Sequence, residues 1–216
     1  MKSVLKKQIL GMTLIELMIA SSILLVAVGI TYAVWRTITQ SFYVLESHVR
    51  SRQEVRIAAN TIHDDVRNSV YLYAGRTATI EGVNYNVALI DSEGTDMLMA
   101  IPENANPGAT TYTIVGYYLK PNNSDPVNPN AHDLMRYERN GVTPITADMP
   151  NTINLANVNG GKTVTVAHYM DPNYFSFKIR DNGNSIDIRP LARKQEISNQ
   201  QSVITSIFTT INIKNK

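Results

Sequence analysis

One apolar run near the N-terminus limits what this chain can fold into more than any other feature. The run extends from Met12 to Trp35, and Glu16 is the only charged residue between Lys7 and Arg36. As an α-helix its 24 residues would span about 36 Å, which is enough to cross a hydrocarbon core of about 30 Å. The sequence therefore predicts a membrane-spanning helix that carries one acid.

The acid needs an explanation. A carboxylate in a membrane-spanning helix costs about 2.5–3.5 kcal/mol at the centre and less towards an interface, and such a residue usually marks function. Hydropathy alone suggests either a plain signal anchor or a secretory signal peptide cleaved near residues 31–33. Neither explains Glu16, and the simplest structural account of it is a carboxylate at headgroup level.

Charge asymmetry predicts the orientation of this helix. Lys2, Lys6 and Lys7 precede the run, whereas only Arg36 lies near its other end. The excess of cations on one side places the N-terminus in the cytoplasm and the bulk of the chain outside. We therefore expect a single-pass inner-membrane protein with a periplasmic head.

The stretch Gly11-Met12-Thr13-Leu14-Ile15-Glu16-Leu17-Met18 resembles the processing site of type IV prepilins and of type II secretion pseudopilins. The resemblance implies that residues 1–11 form a leader peptide, that a prepilin peptidase cleaves between Gly11 and Met12, and that Met12 is then N-methylated. Glu16 would be the fifth residue of the mature chain. The family usually has phenylalanine where this chain has Met12.

A physical argument supports this interpretation. The new α-amine of Met12 and the carboxylate of Glu16 are both unfavourable in an apolar filament core, and contact between neighbouring subunits would neutralise both. Removing one partner from a buried pair costs about 3–5 kcal/mol, so the pair can enforce axial register. The predicted assembly residues are Glu16, Met12 and Thr13.

The helical pattern continues beyond Trp35 without proline or glycine. Apolar residues recur at spacings of three and four over Val55, Ala59, Ile62 and Val66. We predict one helix over residues 12–70, with 12–35 as the membrane or filament-core segment, followed by a β-rich head over 71–216. The charged residues of the second half are expected on other faces: Arg50, Arg52, Arg56, Asp64, Asp65 and Arg67. Three arginines on one helix are typical of a solvated face, and DNA contact is the alternative.

After Val70 the composition indicates short strands separated by turns. The clearest hairpin pairs residues 174–180 with 185–189 through a turn at 181–184. The other predicted strands are 86–91, 96–101, 111–120, 133–139, 163–168 and 203–213, with turns at 92–95 and 140–141. Residues 121–131 and 144–159 are expected to be mainly loop. The predicted fold class is α+β: a pilin fold in which a long N-terminal helix packs on an antiparallel sheet.

A second resemblance lies in this β-rich part. Tyr117-Tyr118-Leu119, a loop, and then Leu134-Met135-Arg136 are similar to the "Y-x-L … L-x-R" passage of J-type minor pseudopilins and W-type minor pilins. The resemblance implies a subunit that associates with other minor and major pilins or pseudopilins in a complex that primes assembly and lies at the filament tip. It also implies contact with the prepilin peptidase, the inner-membrane assembly platform and, before assembly, membrane lipid.

No motif points to an enzyme, a metal or another cofactor. The chain has no cysteine, and none of His48, His63, His132 and His168 is paired at zinc-binding spacing. No nucleophile elbow or phosphate-binding loop is present. Residues 181–187 and 122–133 are weak calcium candidates without EF-hand spacing. We expect a non-enzymatic filament subunit; a signal-anchored periplasmic binding protein or enzyme is the remote alternative.

Overall fold

The computed structural model describes residues 13–73, 77–80, 83–87, 91–104, 111–124, 128, 130–142, 160–180, 185–195 and 202–213. Helix α1 spans Leu14–Asn68, close to the predicted 12–70. The described strands are β1 (Tyr71–Tyr73), β2 (Thr77–Ile80), β3 (Val83–Asn86), β4 (Glu93–Gly94), β5 (Met97–Pro102), β6 (Tyr112–Pro121), β7 (His132–Val142), β8 (Lys162–Met170), β9 (Ser176–Arg180), β10 (Ser185–Arg189), β11 (Leu191–Gln195), β12 (Ser202–Ser206) and β13 (Thr209–Asn212). The fold is α+β and pilin-like, as predicted.

The chain divides into two compact units, Met1–Tyr43 and Val44–Lys216. In the N-terminal unit the described residues are almost all helical and solvent-exposed. Helix α1 contains a segment that is long and apolar enough to cross a membrane, and none of that segment is buried within the protein. Its side chains therefore need another apolar environment, which a bilayer or a neighbouring helix can supply.

In the C-terminal unit, the rest of α1 presents one buried stripe. Val55, Ala59, Ile62 and Val66 are all buried, as their spacing predicts, together with Ser47, Ser51 and Ala58. Asp65 departs from the prediction that it points away from the sheet, because its side chain is only 15% exposed. A partner within the fold must therefore compensate its charge.

The described strands form two larger antiparallel sheets and one hairpin. The seven-stranded sheet has the order β1-β5-β6-β7-β8-β11-β12, the four-stranded sheet has the order β13-β10-β9-β4, and β2 pairs with β3. The predicted hairpin of 174–180 and 185–189 is confirmed as the β9–β10 pair, with Ser185 opposite Arg180. The turn predicted for it lies outside the described residues, as does the expected loop at 144–159.

One main core joins the helix to both sheets. Side chains alternate between the faces of the seven-stranded sheet, as the two-residue period of a strand requires. Met97, Met99, Val115 and Leu134 contribute to the same buried cluster as Val55 and Ile62 of α1 and as Phe177 and Ile188 of the four-stranded sheet. A second buried cluster is formed by the side chains that alternate with these along the strands, and it is rich in tyrosine. Its members are Tyr73, Val87, Leu98, Ala100, Ile114, Tyr118, Met135 and Tyr137.

Several strand predictions are confirmed and others need correction. The strands predicted at 111–120, 133–139 and 163–168 correspond to β6, which begins one residue later than predicted, and to β7 and β8. The turn predicted at 140–141 is wrong, because β7 continues to Val142. Tyr112 pairs with Val142 and Ile114 with Arg139, so β7 has one extra residue there. Gly141 accommodates this β-bulge with a φ of 69°, a conformation that glycine adopts without steric cost.

Two further predictions are only partly correct. Within the turn predicted at 92–95, Glu93 and Gly94 form the short strand β4 against β9. The run predicted at 203–213 is divided into β12 and β13, which belong to different sheets. The strand predicted at 96–101 is confirmed as β5, whereas in the predicted strand 86–91 Asn86 ends β3 and residues 88–90 lie outside the described part.

Candidate functional site

Helix α1 begins with a reciprocal capping arrangement between Thr13 and Glu16. Glu16 Oε2 accepts hydrogen bonds from the Thr13 backbone N–H at 2.9 Å and from Thr13 Oγ1 at 3.0 Å. The Glu16 backbone N–H donates in turn to Thr13 Oγ1 at 3.3 Å. This is a capping box, in which the N-cap residue and the third helical residue satisfy each other's free donors.

The capping box gives Glu16 a local role that the sequence interpretation did not include. Thr13 was predicted to be an assembly residue, and the structure places it against Glu16 in the same chain. Gly11 and Met12 lie outside the described residues, so cleavage, methylation and the pairing of Met12 with a neighbour's Glu16 stay predictions. Glu16→Ala would therefore remove a helix cap as well as a charge.

The apolar half of α1 satisfies its own hydroxyl groups. Ser22, Thr31, Thr37, Thr39 and Ser41 each donate to the backbone carbonyl four residues earlier, at 2.8 to 3.0 Å. Such internal hydrogen bonds make a hydroxyl compatible with hydrocarbon, where no water can replace them. The surface that remains is apolar, with Leu14 79% and Leu25 73% exposed.

The residues of the "Y-x-L … L-x-R" resemblance meet on one face of the seven-stranded sheet. Tyr117 of β6 lies opposite Arg136 of β7, and Leu119 lies opposite Leu134. The two-residue spacing on each strand keeps all four side chains on the same face. Because Leu134 belongs to the same buried cluster as α1, this is the face that packs against the helix.

Tyr117 and Arg136 converge on Asp65 of α1. The Tyr117 hydroxyl donates to Asp65 Oδ2 at 2.5 Å. Arg136 donates from Nε to Asp65 Oδ2 at 2.6 Å and from Nη2 to Oδ1 at 3.2 Å, which is the bidentate geometry that a guanidinium and a carboxylate favour. Arg136 Nη1 also donates to Glu138 Oε2. We call Asp65, Tyr117, Arg136 and Glu138 the ionic cluster.

Tyr117 and Arg136 are held in fixed protonation states. Burial, the charge of Asp65 and the hydrogen bond to Asp65 raise the pKa of the Tyr117 hydroxyl far above its usual range. Burial lowers the pKa of Arg136, but hydrogen bonds to Asp65 and Glu138 outweigh this effect and raise it overall. Tyr117 therefore stays a neutral donor and Arg136 a cation at physiological pH, which suits a structural contact rather than acid–base chemistry.

A second polar contact joins α1 to the same sheet. Glu54 Oε2 accepts the backbone N–H of His168 in β8 at 2.8 Å, and His168 Nδ1 lies 2.9 Å from Asp133 Oδ1. Arg50, one of the candidate DNA contacts, lies over the ring of Tyr169 at 5.8 Å. Tyr169 has a φ of 61°, at a second bulge between β7 and β8.

No metal-binding cluster is found in the described part of the chain. There, no group of three or more His, Asp or Glu side chains could hold a metal ion. In the calcium candidate at 122–133, Asn122 Oδ1 accepts from the Ser124 N–H at 3.1 Å, and Asn122 Nδ2 donates to Asp133 at 3.0 Å. Residues 181–184 of the other candidate lie outside the described part.

Comparison with known proteins identifies the N-terminal segment. Residues 6–32 match the family model of the prokaryotic N-terminal methylation motif. Neither a search of curated proteins nor a search of solved structures finds a match. The motif, together with the exposed apolar helix and the pilin-like fold, supports a type IV pilin-like protein. The one candidate membrane span among the described residues agrees with single-pass anchoring.

Sequence reasoning identified the N-terminal motif but not the ionic cluster. Glu16 was identifiable as the single acid in an apolar run, whereas Asp65 looked like one of several charges on a solvated face. The signal that could have found Asp65 is the pair Tyr117 and Arg136, because a tyrosine and an arginine on the buried face of two adjacent strands need an acceptor from the element packed above them.

Proposed function

We propose that this protein is a minor pilin of a type IV pilus, part of the complex that primes assembly and lies at the filament tip. The methylation motif at residues 6–32, which ends well inside the exposed apolar part of α1, supports the pilin-like class, and the minor-pilin role rests on the resemblance over residues 117–119 and 134–136. A prepilin peptidase removes residues 1–11 and N-methylates Met12. The helix stays in the inner membrane until assembly and then packs among the helices of neighbouring pilins.

In this proposal the carboxylate of Glu16 pairs with the Met12 amine of an adjacent subunit. The capping box supports a refinement: Glu16 Oε2 is already oriented at the first turn of the helix by Thr13. A carboxylate at a helix N-terminus is also favoured by the helix dipole. Thr13 therefore positions the acid, and the Glu16 charge makes the contact between subunits.

Mass spectrometry of the mature N-terminus tests the class of protein. The expected result is a chain that begins at methylated Met12. An intact Met1 would contradict the proposal, and a terminus at Val34 would favour an ordinary secretory signal peptide. Either result would favour the remote alternative, a signal-anchored periplasmic binding protein or enzyme.

Substitutions at Glu16 and Thr13 test the assembly contact. Glu16→Gln removes the charge but keeps an acceptor for the Thr13 N–H, since glutamine also serves in a capping box. Thr13→Ala keeps the charge and weakens the cap by about 0.5–2 kcal/mol. We expect Glu16→Gln to reduce co-purification with neighbouring pilins at least tenfold, and Thr13→Ala to reduce it only slightly.

The opposite ranking would contradict the pairing. If Glu16→Gln assembles like the unsubstituted protein while Thr13→Ala and Glu16→Ala both fail, Glu16 acts through the cap alone. The N-methylation state should be measured in every variant, because failure to process the leader would reduce assembly for a different reason.

The alternative function is a J-type minor pseudopilin of a type II secretion system. The arrangement of Tyr117, Leu119, Leu134 and Arg136 favours it as much as it favours a W-type minor pilin. A deletion strain distinguishes the two: loss of surface pili indicates the pilus, and loss of secretion of folded periplasmic proteins indicates the pseudopilus. A third and less favoured function is DNA binding by the C-terminal unit at the tip of a filament.

A further inference from the structure

We infer that Asn140 is a deamidation site that the fold holds closed through Glu103 and Thr113. The inference uses only contacts inside the C-terminal unit, so it stands independently of the proposed function. It concerns the bulge between β6 and β7, in which Asn140 and Gly141 together lie opposite Thr113. Two side-chain hydrogen bonds at this bulge restrain the reaction.

The sequence makes Asn140 chemically labile. Asparagine followed by glycine is open to attack by its own backbone, because glycine has no side chain to hinder the approach and has a permissive backbone. The Gly141 nitrogen forms a bond to Asn140 Cγ, and the side-chain nitrogen leaves as ammonia with the proton of the Gly141 N–H. Water then opens the cyclic imide to aspartate or isoaspartate. The chain contains three such pairs, at 140–141, 159–160 and 182–183, and the first lies wholly within the described residues.

The direction of the Gly141 N–H is the first obstacle to this attack. In the imide, Asn140 Cγ replaces that hydrogen, because the hydrogen of a trans peptide lies on the same side as the preceding Cα. In the structure the Gly141 N–H donates to Glu103 Oε1 at 2.5 Å, so the carboxylate occupies the position that Cγ needs. The negative charge of Glu103 also disfavours loss of the Gly141 proton, since a nearby like charge disfavours an anion.

The position of the Asn140 amide is the second obstacle. Thr113 Oγ1 donates to Asn140 Oδ1 at 3.0 Å, which ties the amide to the neighbouring strand. Rotation of the side chain towards the Gly141 nitrogen breaks this hydrogen bond. Glu103 is also held beside β6, because its N–H donates to the Thr111 carbonyl at 3.2 Å. Both side-chain contacts must therefore open before Cγ and the nitrogen can meet.

The protection is local, because the bulge lies at the surface. Asn140 and Gly141 are both exposed, so water reaches the site and burial does not prevent the reaction. Exposed segments open without global unfolding, and each hydrogen bond lowers the population of the open bulge. A hydrogen bond of ordinary strength changes such a population about twofold to tenfold.

The test follows loss of ammonia from Asn140 in the full chain, held in detergent micelles at mildly alkaline pH. Digestion at acid pH, where the amide nitrogen attacks slowly, and tandem mass spectrometry then locate each converted asparagine. The same chain unfolded in urea gives the reference rate for Asn140 without its contacts. We expect the native rate to be at least tenfold lower than this reference.

Two substitutions each remove one contact. Glu103→Ala and Thr113→Val should each accelerate deamidation of Asn140 about twofold to tenfold, and the double variant should be faster than either. Glu93→Ala is the matched control, because Glu93 is also exposed but lies in β4, which pairs with β9. It should keep the native rate. Tm is measured in every variant and should change little, since both contacts lie at the surface.

Three outcomes overturn the inference. Equal rates in the native and the unfolded chain mean that the fold does not protect Asn140. The native rate in both single variants and in the double variant means that strand pairing alone restrains the site. Equal acceleration in Glu93→Ala means that a general loss of stability, and not the two contacts at the bulge, controls the reaction.

Discussion

At the scale of single residues, glycines show how strongly local geometry limits substitution. A Cβ built on Gly161 would lie 2.4 Å from Tyr137 Cε2 and 2.6 Å from the Glu138 carbonyl oxygen. A Cβ on Gly141 meets nothing within 4 Å, but the φ of that residue is +69°. At Gly161 a side chain would clash with neighbouring atoms, whereas at Gly141 a side chain would be strained by the backbone conformation.

These two glycines are expected to respond differently to the same substitutions. Gly161→Ala should destabilise the protein by about 1–3 kcal/mol through overpacking, and Gly161→Asn by more. Gly141→Ala should cost about 1–2 kcal/mol, but Gly141→Asn should recover much of this loss, since asparagine tolerates left-handed backbone. Thermal unfolding followed by circular dichroism checks the ranking. Equal recovery by asparagine at both sites would contradict it.

Asp187 is expected to give the protein a sensitivity to acid. Burial raises the pKa of Asp187, but hydrogen bonds from Thr210, at 2.7 Å, and from Arg180 outweigh it and lower the pKa overall. A folded-state pKa below the unfolded value contributes stability at neutral pH that is lost as the pH falls below about 4. Asp187→Asn should therefore be less stable at pH 7 and should lose less stability between pH 4 and pH 2. Unfolding midpoints measured across that range test the prediction.

At the scale of secondary-structure elements, one buried acid connects α1 to two strands. Asp65→Asn leaves Arg136 with Glu138 as its carboxylate partner but removes its bidentate contact, and should destabilise the C-terminal unit by about 1–3 kcal/mol. Asp64→Asn is the control, because its side chain is 77% exposed, and it should change stability by less than about 0.5 kcal/mol. Similar losses in the two variants, measured by urea unfolding, would show that the ionic cluster is not the main contact.

The same elements show where sequence patterns succeed and where they fail. Helix α1 was predictable because neither proline nor glycine interrupts its second half and its apolar residues keep a regular period. The β9–β10 hairpin was predictable from alternation around a polar turn. The end of β7 was mistaken for a turn because Asn140-Gly141 suits both a tight turn and a bulge, and only pairing with β6 distinguishes them.

At the scale of the whole molecule, processing at the N-terminus should depend on one glycine and not on another. We expect Gly11→Leu to block removal of residues 1–11, so that the intact mass is that of the precursor. Gly29→Leu is the matched control, because a Cβ at Gly29 meets nothing within 4 Å, and it should give the mature mass. Normal processing of Gly11→Leu would place the cleavage site elsewhere.

The sequence by itself determined the parts of this protein that depend on neighbours in the chain. Helix α1, its apolar half and the alternation of the longer strands all follow from periodicities of a few residues, and the N-terminal methylation motif is a local sequence pattern. The tertiary structure decided which strand joins which sheet, that residues 203–213 divide between two sheets, and that Tyr117 and Arg136 meet Asp65. The physical reason is separation along the sequence. Asp65 and Arg136 are 71 residues apart, and they pair only because the fold brings α1 against the face of the sheet that carries Arg136.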